Sequence, residues 1–146
     1  MSRRPTKSVY IGNVKVGGDA PITVQSMTKT DTRDVKATVE QIKGLEDVGC
    51  EIIRCAVPDM EAARALPEIK RRISIPLVAD IHFHYQIALE SIRGQVDCLR
   101  LNPGNIRDPD RVKQVVQPAK ERQIPIRIGV NFGSLPPVGS IGKTRA

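Results

Sequence analysis

Pro76-Leu77-Val78-Ala79-Asp80-Ile81-His82 reads as one extended segment with two unlike faces. Side chains alternate along a strand, so Val78, Asp80 and His82 share a face, opposite Leu77, Ala79 and Ile81. A strand held between two helix layers should be apolar on both faces. A barrel strand instead turns one face to the interior, and barrel chemistry gathers at the C-terminal mouth. The neighbouring runs repeat the pattern. Ile52 and Arg54 oppose Ile53 and Cys55; Cys98, Arg100 and Asn102 oppose Leu99 and Leu101; Arg127, Gly129 and Asn131 oppose Ile126, Ile128 and Val130. One face of each strand suits covering helices, and the other carries charge near its C-terminal end.

Working outward, strand and helix signals alternate from residue 21 onward. Helical spacing covers 34–48, with Asp31 or Thr32 as the expected cap and Gly49 as the stop. Strand 51–57 follows, then a helix opened by Pro58-Asp59, strand 76–82, a short helix 85–92 closing at Gly94, and strand 96–102. Asp108-Pro109 supplies an N-cap and first-turn proline for a helix to about residue 122, before strand 125–131. Pro67 and Pro118 fall inside helical patterns, where an interior proline costs roughly 3 kcal/mol, so kinks or early ends are expected there. Val9-Tyr10-Ile11 and Val14-Lys15-Val16 around Gly12-Asn13 predict a leading hairpin. With the extended run Pro21-Ile22-Thr23-Val24-Gln25-Ser26 ahead of the first helix, the sum after the hairpin is five strands and four helices, the first half of a (β/α)8 TIM-type barrel. An open doubly wound sheet shares this local grammar, although no Gly-x-Gly-x-x-Gly follows the first strand. The expected divisions are a hairpin at 1–20, a partial barrel at 21–135 and an irregular tail at 136–146.

Composition narrows the classes of function. The net charge of +7 and the pI near 9.7 favour anionic partners, from phosphorylated metabolites to nucleic acid. Aromatics at 3% leave few stacking platforms, and there is no run of five basic residues, which speaks against nucleic acid. No apolar run approaches the ~20 residues of a membrane span, and Pro5-Thr6-Lys7 stands where a signal peptide would be apolar. The chain reads as cytoplasmic. Cys50, Cys55 and Cys98 are odd in number and lack a Cys-x-x-Cys pair, so buried reduced thiols are expected rather than disulfides or metal ligands. Gly139-Ser140-Ile141-Gly142-Lys143-Thr144 fails as a phosphate-binding loop, because Pro137 occupies the place of its leading glycine.

On a barrel mouth, Arg54, Arg100 and Arg127 would converge. Two guanidinium groups about 6 Å apart repel by roughly 3 kcal/mol at an effective dielectric of 20. Such a trio calls for anions between its members. Asp80 can neutralise one, and the planar arginine fork suits phosphate oxygens, so a diphosphate is the economical ligand. An internal salt-bridge cluster is the competing explanation. His82 stands beside Asp80, where it could donate to phosphate or carry a proton, whereas His84 is expected to begin a loop or helix in solvent. Asn102-Pro103-Gly104-Asn105 reads as a turn whose amides could also meet ligand oxygens.

Taken together, Val24-Gln25-Ser26-Met27-Thr28, Ile53-Arg54-Cys55-Ala56-Val57-Pro58-Asp59, Ala79-Asp80-Ile81-His82-Phe83, Arg100-Leu101-Asn102-Pro103-Gly104-Asn105 and Arg127-Ile128-Gly129-Val130-Asn131 resemble the 4-hydroxy-3-methylbut-2-enyl diphosphate synthase family. The resemblance implies reductive opening of 2-C-methyl-D-erythritol 2,4-cyclodiphosphate in the non-mevalonate isoprenoid pathway. It also implies two electrons delivered through a [4Fe-4S] cluster from flavodoxin or ferredoxin, and a homodimer at full length. By residue match, Arg54, His82, Arg100 and Arg127 would grip phosphate oxygens, and Asp80, Asn102 and Asn131 would orient substrate or arginines. No catalytic side chain or metal ligand is assigned in this chain, since the family's cluster cysteines belong to a separate C-terminal domain. Half a barrel alone is expected to be poorly stable and without reductase activity. A pteroate-synthase-like phosphate-binding barrel, a non-functional fragment and a basic nucleic-acid module are the alternatives.

Overall fold

A computed structural model describes residues 4–82, 84–102 and 108–130. Two short strands, β1 (Val9–Ile11) and β2 (Val14–Val16), form an antiparallel hairpin in which Ile11 pairs with Val14 and Val9 with Val16. There follow β3 (Gln25–Met27), α1 (Val35–Asp47), β4 (Ile52–Val57), α2 (Met60–Arg71), β5 (Leu77–Ile81), α3 (Tyr85–Arg93), β6 (Cys98–Leu101), α4 (Pro109–Glu121) and β7 (Ile126–Ile128). The five later strands are parallel and lie side by side in chain order. A doubly wound sheet reverses its strand order at a switch point and carries helices on both faces. Here the order never reverses.

Nor are both faces covered by helices. Ile53, Cys55, Val57, Leu77, Ala79, Ile81, Leu99 and Leu101 form one face and pack with Val39, Ile42, Leu66, Ile69, Ile92 and Val115 from the four helices. On the other face Ile52, Val78 and Cys98 pack instead against Ile11 of the hairpin, with Val14 and Val16 beside them. The hairpin therefore seals the N-terminal end of the concave face. Gly12 turns it with a left-handed φ of 57°, and a Cβ there would meet the Pro76 ring at 3.0 Å, so glycine serves both the turn and the close approach. Asp97 ties the same end together: its carboxylate accepts from the Leu77 amide (2.9 Å) and pairs with Lys70 (2.6 Å).

Helix starts and stops mostly follow the sequence signals. Asp59 and Asp108 cap α2 and α4 through the Ala62 and Asp110 amides, and Gly49, at φ 91°, follows the end of α1. The cap of α1 is a correction. Asp34 accepts from Ala37 N (3.0 Å), while Asp31 is engaged with Arg33 and Thr32 donates to the Ala56 carbonyl (2.6 Å). Those two residues fasten the β3–α1 loop instead of the helix. Neither interior proline stops its helix at once: α2 runs four residues past Pro67 and α4 three past Pro118. The Pro67 ring fits because Gly94, at the end of α3, carries no side chain; a Cβ there would lie 3.1 Å from Pro67 Cγ. Pro76 and Pro125 stand just before β5 and β7, where only their carbonyls are needed, accepting from Ile53 and Leu99.

At the two outer strands the apolar face lacks cover among the described residues. Ile22 and Val24 lead into β3, Ile128 ends β7 with Val130 two residues beyond it, and all four are exposed. Their positions match the helix-covered face of the inner strands. They mark the sides on which a barrel would continue.

Candidate functional site

The next layer of the concave face, toward the C-terminal ends of the strands, is polar. Asp80 of β5, Arg100 of β6 and Arg127 of β7 stand in register on three adjacent strands. Arg54 of β4 starts one layer lower, opposite Val78. Ala56, opposite Asp80, presents only a methyl group there, and the Arg54 guanidinium reaches the Asp80 carboxylate, Nε to Oδ2 3.4 Å. Arg100 Nη1 donates to Asp80 Oδ1 at 3.1 Å, and His82 Nε2 lies 3.7 Å from the same oxygen. The Asp80 side chain is only 3% exposed, against 15% for Arg100 and 29% for Arg54. A buried carboxylate of this kind is tolerable because it is paired; removing the partners would leave a desolvated charge.

Arg54, Asp80, His82 and Arg100 thus meet as the sequence suggested. Arg127 shares their face but turns elsewhere, donating to the Gln25 amide oxygen. Gln25 belongs to β3 and Arg127 to β7, the two outermost strands of the sheet, so this bond crosses the whole concave face and reflects its curvature. Asn102 is buried just past β6, two residues beyond Arg100 and of the same parity. Asn131 and residues 103–107, where a turn was expected, lie outside the described residues. His84 is exposed at the start of α3, as expected, and gives that helix no side-chain cap.

Three contributors were not singled out from the sequence. Gln25 holds Arg127; Met27 Sδ lies 3.2 Å from Arg54 Nη2; and Gly129 leaves room for Arg100, since a Cβ there would stand 2.5 Å from its Nε. The alternation rule that placed the charges on β4 to β7 applies equally to β3, where Gln25 and Met27 share a face. It would have found both.

Among the described residues this face sets three guanidinium groups against one carboxylate. Arg54 Nε is buried with no hydrogen-bond partner, its approach to Asp80 being ionic without good donor geometry. The layer has spare N–H donors and excess positive charge, the requirements for holding an anion. A cleft of about 1090 Å³ lies at the opposite end, beneath the hairpin, lined by Tyr10, Lys70, Asp97 and Arg122 among others. Two of its three cations are already used: Lys70 binds Asp97 and the Gln95 carbonyl, and Arg122 the Ile92 carbonyl, which leaves Lys120. The concave mouth, by contrast, sets Arg54, Arg100 and Arg127 against the single carboxylate of Asp80 among the described residues.

The cysteines do not fit an iron–sulfur cluster. Cys55 packs in the helix-side core and Cys98 on the concave face, and burial pushes both thiols up to about 11, away from the thiolate form a cluster needs. Among the described residues no group of three His, Cys, Asp or Glu could hold a metal ion. No helix among them is long and apolar enough to cross a membrane.

Residues 6–140 match the family model described as the GcpE TIM-barrel domain. The chain belongs to that family. Relatives named 4-hydroxy-3-methylbut-2-en-1-yl diphosphate synthase (flavodoxin) include those of Dehalococcoides mccartyi, 64% identical over 136 residues, and Thermodesulfovibrio yellowstonii, 60% identical over 136 residues. Each comparison takes in 93% of this chain and 39% of the relative, so the chain spans about two fifths of their length. In Pseudomonas paraeruginosa the family member so named is 62% identical over 92% of this chain and 36% of its own length. Among solved structures, 7,8-dihydropteroate synthase from Vibrio fischeri ES114 superposes with a TM-score of 0.60 at 13% identity, over 84% of this chain and 48% of that one. At that identity the likeness speaks for the barrel fold alone. The expected α/β barrel architecture and the family resemblance both hold.

Proposed function

We propose that this chain supplies part of the substrate-binding barrel of a 4-hydroxy-3-methylbut-2-enyl diphosphate synthase. The whole reaction would be the two-electron reductive opening of 2-C-methyl-D-erythritol 2,4-cyclodiphosphate, in the cytoplasm, with flavodoxin as donor; ferredoxin is the alternative. A [4Fe-4S] cluster, ligated by residues other than these 146, would deliver the electrons, and the complete enzyme would be a homodimer. The cysteines of this chain take no part in that step.

The observation that carries the reading is the shared Asp80, flanked by Arg54 and Arg100, with Arg127 on the same face. Asp80 holds two guanidinium groups in place without neutralising both. A diphosphate entering the mouth would balance the excess charge beside Arg54 and Arg100, with His82 at the rim to donate a further bond. Asn102 and Asn131 would bind the polyol or steady the arginines. The chain's work here is binding, charge neutralisation and orientation.

Titration calorimetry with the cyclodiphosphate tests this, using the chain itself and a chimera in which residues 6–130 replace the matching segment of the Dehalococcoides mccartyi relative. Binding is expected in the chimera, and Arg100→Ala should weaken it by about 2–3 kcal/mol. Reductase activity is expected in the chimera and not in the 146 residues alone. Equal affinity with and without Arg100 would remove that residue from the site. Binding of a pterin in place of the cyclodiphosphate would favour the pteroate-synthase-like alternative.

A further inference from the structure

We infer that Gly129 is a positioning residue, whose missing side chain sets the direction in which Arg100 presents its guanidinium to Asp80 and to the bound anion. This rests on the diphosphate reading for its functional consequence, but its structural basis is separate. A Cβ at position 129 would stand 2.5 Å from Arg100 Nε, 2.7 Å from Nη2 and 3.0 Å from Cζ. All three are atoms of one side-chain end, and no backbone atom is among the closest. The glycine is therefore not there to relieve the main chain. Its φ lies outside the left-handed region, so alanine would not strain the backbone.

The backbone at 129 is also held where it is. Its amide donates to the Leu101 carbonyl at 3.0 Å, extending the β6–β7 ladder past Ile128. A new methyl group could not retreat with the strand, and the guanidinium would be the part to yield. Arg100 is attached one strand away with Nη1 on Asp80, so its plane is fixed at two places: the carboxylate on one side and the bare Gly129 backbone on the other. Any side chain at 129 pushes the fork off that surface and loosens its hold on Asp80. Aligned donors are what distinguish a bidentate phosphate contact from a diffuse positive charge.

Gly129→Ala tests this in the chimera. Unfolding temperature and the far-UV spectrum should match those of the parent, while the nitrogen-15 signal of Arg100 Nε–H shifts or broadens in the free protein. Affinity for the cyclodiphosphate should fall about tenfold. Arg100→Lys closes the cycle: its slender ammonium does not meet residue 129, so Gly129→Ala should cost nothing further in the lysine background. A purely structural glycine would instead lower the unfolding temperature equally with either residue at 100, and that result would overturn the inference, as would loss of folding in Gly129→Ala. An unmoved Nε–H signal would overturn it too. Failure of the parent to bind the cyclodiphosphate would count against the functional reading alone, with the Nε–H signal still deciding the role of Gly129.

Discussion

Two layers of one concave surface, a single pleat apart, are built to opposite rules. In the lower one Ile52, Val78 and Cys98 are buried beneath Ile11 of the hairpin, and Arg54, which starts level with Val78, sends its guanidinium up to Asp80. In the upper one the same strands offer Arg54, Asp80 and Arg100, and β7 adds Arg127. The lower layer gains from excluding water, each apolar side chain contributing roughly 1.5–3 kcal/mol when fully buried. The upper one sets three guanidinium groups against one carboxylate among the described residues. Strand pairing is shared by both, so it does not explain the contrast. What separates them is the hairpin, which packs on the N-terminal end and does not reach the C-terminal one.

The sharpest way to break this contrast is Asp80→Asn. It keeps the shape of the side chain but leaves Arg54 and Arg100 facing each other without a counter-charge. Breaking a buried pair of this kind should destabilise the fold by about 3–5 kcal/mol, read by urea unfolding at neutral pH. Added inorganic diphosphate should recover part of the loss, because an anion can take the place of the carboxylate. A variant as stable as the parent would mean that the charges are already screened by solvent, and that the upper layer is no more demanding than an ordinary surface.

Ile11→Ala attacks the other layer. It opens the seal over Ile52, Val78 and Cys98 and should cost about 3 kcal/mol in the same assay. Anion affinity should change far less than stability. If both fell together, the two layers would be one cooperative unit rather than a plug and a mouth.

The contrast was legible in the sequence where it depended on alternation. A polar residue every second position in β5 and β6, set against Leu, Ala and Ile, is enough to separate an interior face from a helix-covered one. Asp80, Arg54 and Arg100 followed from that rule. What alternation cannot supply is which partner a long side chain chooses. Arg127 has the correct parity, yet its head crosses to Gln25 on the far side of the sheet, a pairing 102 residues apart that depends on curvature. Gly129 was invisible for a related reason: its role is the absence of atoms beside a neighbour's side chain. The α1 cap was misplaced because Asp34 lies within one turn of the two expected candidates, Asp31 and Thr32, and the choice depended on what else the loop had to bind.

The buried thiols extend the comparison to pH, since Cys98 lies in the lower layer and Cys55 on the helix side. Burial is the main cause in both cases, and for Cys98 the nearby Arg127 opposes it. A thiol raised in the folded state from 9.0 to about 11 favours folding fully below pH 9, and that contribution is lost as pH rises toward 11. At pH 10 the loss should be on the order of 1 kcal/mol for each thiol, seen as a lower urea midpoint. Cys55→Ala and Cys98→Ala should each flatten the dependence by a similar amount. An unchanged pH profile in both variants would place the titration elsewhere.

The smallest effect is expected at the bond that spans the surface. Arg127 is exposed, so its bond to Gln25 contributes little to folding, about 0.5 kcal/mol or less, and Gln25→Ala should leave the urea midpoint nearly in place. On the proposed diphosphate reading, the bond holds the third guanidinium over the mouth before a ligand arrives. An arginine already held there loses less rotamer freedom on binding than one free to move, a difference of roughly 0.5–1.5 kcal/mol. Anion affinity in Gln25→Ala should accordingly fall by about two- to tenfold, with a less favourable entropy in calorimetry. Arg127→Ala should cost more, because it removes the charge as well as its orientation. Equal losses in the two variants would mean that Arg127 binds only when Gln25 directs it; no loss in either would confine anion binding to Arg54 and Arg100.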